Sequence, residues 1–79
     1  MERTFTVGDI YAMPGGQVIY CPIEGEIVTS QMYVVTCEVV MDNDIWFRFT
    51  NGDVFAVRRC DITPMRALPQ IKIKTEEWR

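Results

Sequence analysis

Two apolar runs, Ile45–Phe49 and Val54–Val57, flank Asn51-Gly52, and each places its large side chains at every second position. That pattern predicts two strands joined by a tight turn, because period-two alternation sends successive side chains to opposite faces. Asn-Gly suits the two loop positions of a type I′ turn, where both central residues need φ > 0. With Asn51 and Gly52 there, Thr50 stands opposite Asp53, Phe49 opposite Val54, Arg48 opposite Phe55, Phe47 opposite Ala56 and Trp46 opposite Val57. The expected core face is then Ile45, Phe47, Phe49, Val54 and Ala56, and the second face is Trp46, Arg48, Phe55, Val57 and Arg59.

A third strand is predicted over Met32–Met41, which is rich in β-branched residues and ends at the turn signal Asp42-Asn43-Asp44. Taken as a three-residue loop, that signal pairs Met41 with Ile45, Val39 with Phe47 and Cys37 with Phe49, so the apolar residues share the core side. A two-residue loop would turn them to the wrong face. The same register sets Glu38 opposite Arg48 and Val40 opposite Trp46, and the juxtaposed charges support an antiparallel meander over about 33–59.

Elsewhere the signals are shorter. Phe5–Met13 reads as a strand stopped by Pro14-Gly15-Gly16, and Gln17–Cys21 as a second one ending before Pro22. Pro22–Gln31 reads as a long loop with strand character around Glu26–Thr29. Residues 60–64 read as one tight or 3-10 turn, since Pro64 restricts Thr63 to extended geometry. Gln70–Lys74 alternates Ile71 and Ile73 with Lys72 and Lys74 and is expected to add a strand, and the tail 75–79 is expected to fray. So many short strands can bury one core only by curling the sheet, so the fold expected is all-β, a small barrel of about five or six strands. Residues 1–79 are expected to form one domain.

Val7-Gly8-Asp9-Ile10, then Trp46-x-Arg-Phe-x-Asn51-Gly52-Asp53-x-Phe-x-Val57, then Asp61-Ile62-x-Pro64 resembles the strand, hairpin and 3-10 order of SH3-like barrels of the Tudor and KOW type. The resemblance implies a fold more than a function. Tudor-like domains hold methylated Lys or Arg in an aromatic cage, for which Tyr11, Tyr20, Tyr33 and Trp46 are available here. KOW-like domains contact nucleic acid or ribosomal and polymerase proteins.

Composition removes several function classes. The chain is 48% hydrophobic and 24% charged, close to ordinary globular usage, so it is expected to fold. With 8 Lys and Arg against 11 Asp and Glu the net charge is −3, which gives no overall field to attract a phosphate backbone. No apolar run is long enough for a membrane helix and the N-terminus lacks a leader pattern, so the expected location is the cytoplasm and no membrane partner is expected. Cys21, Cys37 and Cys60 form an odd set without CxxC spacing, and there is no histidine, so free thiols and no metal are expected. Without histidine, nucleophile elbow or P-loop, neither catalysis nor a cofactor is expected. The carboxylate pairs Glu24/Glu26 and Asp42/Asp44 fall in predicted loops, where acidic residues ordinarily serve solvation and turn bonding.

Binding to another protein is the leading expectation. Trp46, Phe55 and Val57 interleaved with Arg48 and Arg59, with Glu38 beside Arg48, form an aromatic and arginine mixture of the kind enriched at interface centres. That reading requires Trp46 and Phe55 to be exposed; buried, they are the second half of a core. Small size and acidic balance also fit a regulator or inhibitor of a larger host enzyme, carried by a phage or mobile element. One alternative is a nucleic-acid-associated barrel using Arg58, Arg59, Arg66, Lys72 and Lys74, with Glu76 and Glu77 nearby. Another is a structural subunit whose open faces are covered by self-association.

Overall fold

The computed structural model describes residues 4–69. Within them lie seven strands: β1 (Ile10–Met13), β2 (Val18–Cys21), β3 (Gly25–Val28), β4 (Tyr33–Val40), β5 (Asp44–Phe49), β6 (Val54–Arg58) and β7 (Arg66–Leu68). A 3-10 turn, Arg59–Asp61, follows β6. All seven join one antiparallel sheet in the order β3-β2-β6-β5-β4-β1-β7. The sheet is all-β and small, as expected, but it has seven strands and is not closed into a barrel: among the described residues β3 and β7 each have one neighbour. It curls nonetheless, since Tyr11 and Met13 of β1 and Ile19 of β2 join Phe47 of central β5 in a single buried cluster. The strand expected at Gln70–Lys74 and the tail 75–79 lie outside the described residues.

The β5–β6 hairpin forms, with a register one residue away from the expected one. Its loop is Thr50-Asn51-Gly52: the Phe49 amide donates to the Asp53 carbonyl at 2.8 Å, and the Gly52 amide donates back to Phe49 at 3.0 Å. A type I′ turn needs positive φ at both central residues, whereas here Gly52 alone has it, at 98°. Asn51 instead accepts the Asp53 amide on Oδ1 at 2.9 Å, an Asx-type bond that fixes the loop. Phe47 therefore pairs with Phe55, Trp46 with Ala56 and Ile45 with Val57. The one-residue shift exchanges the faces of β6. Phe55 and Val57, assigned to the binding face, are fully buried, while Val54 and Ala56, assigned to the core side, stand with Trp46 and Arg48.

At the other end of β5 the loop is Asp42-Asn43, closed by the Met41 amide on the Asp44 carbonyl at 2.8 Å. Such a connection would carry Cys37 and Val35 to the outer face, but a bulge between Cys37 and Val39 restores the parity. Below it Cys37 pairs with Phe47 and Val35 with Phe49; above it Val39 pairs with Trp46 and Val40 with Ile45. The expected pairs Met41–Ile45, Val39–Phe47 and Val40–Trp46 are thus each displaced. Val39 and Met41, placed in the core by sequence, are 42% and 52% exposed.

Phe47 sits at the centre of the core, edge-on to Phe5 at 5.5 Å and stacked on Phe55 at 5.7 Å. Two polar residues, Gln17 and Thr29, are also buried. Gln17, with no exposed surface, donates from Nε2 to the carbonyls of Val18 (2.9 Å) and Asp61 (3.0 Å), and its Oε1 accepts the Thr63 amide (2.9 Å) and hydroxyl (2.7 Å). Every side-chain hydrogen-bonding group of Gln17 is satisfied, so its burial clips the 3-10 turn and the start of the next segment onto β2. β7 then follows from Arg66-Ala-Leu68, a stretch too short and too weakly β-forming to stand out in the sequence.

Candidate interaction surfaces

Because Ile45, Phe47, Phe55, Val57 and Ile19 point inward, the residues between them form the outer face. Register aligns Val39, Trp46, Ala56 and Tyr20 in one row across β4, β5, β6 and β2, and Glu26 of β3 ends the row. Val39 is exposed, Trp46 and Tyr20 are half-buried, and the small Ala56 between them is buried. Charges flank the row. Arg48 reaches Glu38 through Nε at 3.0 Å and Nη2 at 3.4 Å, and donates from Nη1 to the Gly52 carbonyl at 2.7 Å. The bond from Glu38 holds the guanidinium even more firmly protonated than usual. On the other flank the Arg58 guanidinium lies 4.5 Å from the Tyr20 ring centre, and Arg58 stands opposite Asp44. Desolvation pushes the Tyr20 hydroxyl above its usual range against the pull of Arg58, and a hydrogen bond with Glu26 adds to the rise.

The Glu38–Arg48 pair expected from the sequence is present, reached by a different route. Arg48 stands opposite Thr36, and the bulge turns Glu38 toward it. Trp46, Arg48 and Glu38 are thus brought together, whereas Phe55 and Val57 lie inside, sealed from solvent. Arg59 is set apart from them: its backbone amide donates to the Asn43 carbonyl and its Nε to Met41, both at 2.9 Å, which ties it to the β4–β5 tip. Sequence reasoning offered Tyr20 only as a cage wall and placed Ala56 and Val39 on the core side, so it did not find this row. The parity of Tyr20 against Ile19 carries a signal, but the β2–β6 pairing that places it is far from local.

The four aromatic residues available for a cage do not converge. Tyr11 is in the core, its hydroxyl accepting the Thr6 amide at 2.9 Å; Tyr33 packs edge-on to Phe49 at 5.2 Å; Tyr20 and Trp46 are separated by Ala56. The basic residues are divided as well. Arg58 is on β6 and Arg66 on β7, four strands further along the sheet, and Lys72 and Lys74 lie outside the described residues.

A second surface lies between the β2–β3 hairpin and the β5–β6 tip. It is a cleft with two adjoining lobes of about 370 and 470 Å3 that share Cys21, Glu24, Phe49 and Asp53. Ile19, Ile27 and Tyr33 line the first lobe, and Pro22, Ile23 and Val54 the second. Burial, with the charges of Glu24 and Asp53 adding, pushes the Cys21 thiol upward, so this sulfur is held as a weakly reactive thiol. No group of residues in the described part is arranged to hold a metal ion. No family model, curated protein sequence or solved structure matches this chain.

Proposed function

We propose that the protein is a non-enzymatic interaction module that binds another protein through the outer face of its sheet. The observation that carries this reading is the row Val39–Trp46–Ala56–Tyr20 across four strands, with arginines on both flanks. An apolar row with a Trp at its centre and arginine on its rim has the composition of an interface hot spot. Val34 and Met41, on the same side of β4 as Val39, are 40% and 52% exposed, which adds apolar surface to this face. A small acidic chain with such a face suits a regulator or inhibitor of a larger host enzyme, of the kind carried by phages and mobile elements. The curled, incompletely closed sheet is read in the same proposal as an opened relative of the SH3-like arrangement, whose members serve mainly as binding domains.

The test is capture of partners from the native cell on immobilised protein, identified by mass spectrometry, with Trp46→Ala and Arg48→Glu alongside the parent chain. Loss of the same captured protein with both variants, each still folded, is the expected result. Unchanged capture would remove this face. Light scattering distinguishes the self-association reading: a dimer that dissociates on Trp46→Ala would assign the face to a second copy instead.

A further inference from the structure

The cleft beside β3 differs from the outer face in its charge. Glu24 and Asp53 border both lobes, and no lysine or arginine is among the lining residues. Asp53 has one carboxylate oxygen engaged by the Asn51 side-chain amide at 3.2 Å, and Glu24 makes no hydrogen bond or ion pair among the described residues. Among the described residues, therefore, no cation neutralises the two carboxylates at this apolar opening. Elsewhere on the sheet acidic and basic groups face each other, as Glu38 does Arg48 and Asp44 does Arg58. Covering the cleft with an uncharged partner would strip water from both carboxylates without compensation, so a cation is the complementary group.

The backbone adds a second, independent feature. Among the described residues β3 is an edge strand paired only with β2. The Thr29 amide donates to the Gln17 carbonyl at 2.9 Å, so that position faces β2. Alternation along an antiparallel ladder then turns Ile27 toward β2 and leaves the N–H and C=O groups of Glu26 and Val28 directed outward at the open edge. The edge is not blunted by proline or lysine, the usual protections against pairing. An added strand at this edge would send alternate side chains to the inner side, where Ile27, Tyr33 and Phe49 form the apolar wall, with Glu24 just before the first residue of β3.

We propose that this cleft is a peptide-binding site, distinct from the outer face, which takes from a partner protein an extended segment whose inward-facing positions, every second residue, carry in turn an apolar and a basic side chain. The segment pairs with the β3 edge at Glu26 and Val28, sets an apolar side chain against Tyr33 and Phe49, and places a lysine or arginine between Glu24 and Asp53. Main-chain bonds supply affinity in such strand addition, and the side-chain pockets supply specificity. The carboxylates select the cationic sequence and speed its encounter.

The synthetic octapeptide Ile-Thr-Lys-Thr-Ile-Thr-Lys-Thr, acetylated and amidated, which presents Ile and Lys in turn on one face, is the probe, titrated into the full chain by isothermal calorimetry and followed by amide NMR shifts. Saturable one-to-one binding is expected, with shifts confined to residues 19–33 and 49–54 and affinity falling as salt is raised. The double variant Glu24→Gln/Asp53→Asn, which keeps the size of both side chains and an oxygen at 53 to accept from Asn51, is expected to weaken the probe by about tenfold, each lost exposed charge pair being worth about a factor of three. A probe N-methylated on alternate backbone amides is expected not to bind. Absence of saturable binding at low salt would overturn the proposal. So would equal affinity for the folded double variant, equal affinity for the same peptide with Glu in place of Lys, or shifts centred on Trp46 and Val39.

Discussion

The two faces of β5 come from one alternation and are held in opposite ways. Inward, Ile45 and Phe47 are sealed, and Phe49 packs its ring on Phe55 at 4.3 Å between centroids. Outward, Asp44, Trp46 and Arg48 touch neighbours across the register but keep part of their surface in water. The inner face is fixed by close packing, where each missing methylene leaves a void. The outer face is fixed by a few polar bonds and ring contacts, which can be exchanged for a partner's groups at small cost. The difference teaches that in this chain burial, rather than residue type, separates what makes the fold from what is free for recognition: Phe55 and Trp46 are both large aromatics, nine residues apart, and serve opposite faces.

Substitutions on the inner face should break that contrast most severely. Phe47→Ala is expected to cost about 3–5 kcal/mol. Against total stabilities of about 5–15 kcal/mol for domains generally, that would leave the fold close to its limit, measurable by urea denaturation. Gln17→Leu comes next. It removes the acceptor of the Thr63 amide and hydroxyl and the donor to Asp61, and the stranded groups are expected to cost about 2–3 kcal/mol with loss of amide-exchange protection over residues 59–63.

Gly52→Ala probes the turn that sorts the faces. At φ of 98° a Cβ meets no neighbouring atom, so the cost is conformational strain alone, about 1–2 kcal/mol in thermal unfolding. Asn51→Ala should leave the register unchanged, since Asn51 has no positive φ to supply; cross-strand NOEs between Phe47 and Phe55 are the check. The smallest effect belongs to the outer face. Arg48→Ala removes an ion pair whose side chains are 45% and 33% exposed, and is expected to change stability by about 0.2–1 kcal/mol, less in high salt.

Strand positions were largely legible from the sequence, because β-branched runs and Gly/Pro stops mark them. The faces of β6 were not. Asn-Gly is compatible with both a two-residue turn and a three-residue turn with one left-handed glycine, and only the Phe49–Asp53 bond decides between them. The second turn misled in the opposite sense, since the core-side residues of β4 are brought into line by a bulge at Glu38 that no local pattern announces. Trp46 and Arg48 keep the outer face because β5 itself was placed correctly, and Glu38 of β4 reaches Arg48 only through the bulge. Phe55 and Val57 were lost with the register. Val39 depends on that bulge, and Tyr20 and the cleft depend on β2 pairing with β6 across more than thirty residues and on β3 lying at the edge of the described sheet, neither of which leaves a local trace.

Trp46→Ala measured for thermal stability and partner capture in the same preparation tests the division of the two faces most directly. The expected outcome is a folded protein whose midpoint falls by about 4–8 °C, corresponding to roughly 1 kcal/mol of lost partial burial, and which no longer retains the protein captured by the parent chain. A folded Trp46→Ala protein that retains the same partner at the same level would contradict the assignment of recognition to the outer face.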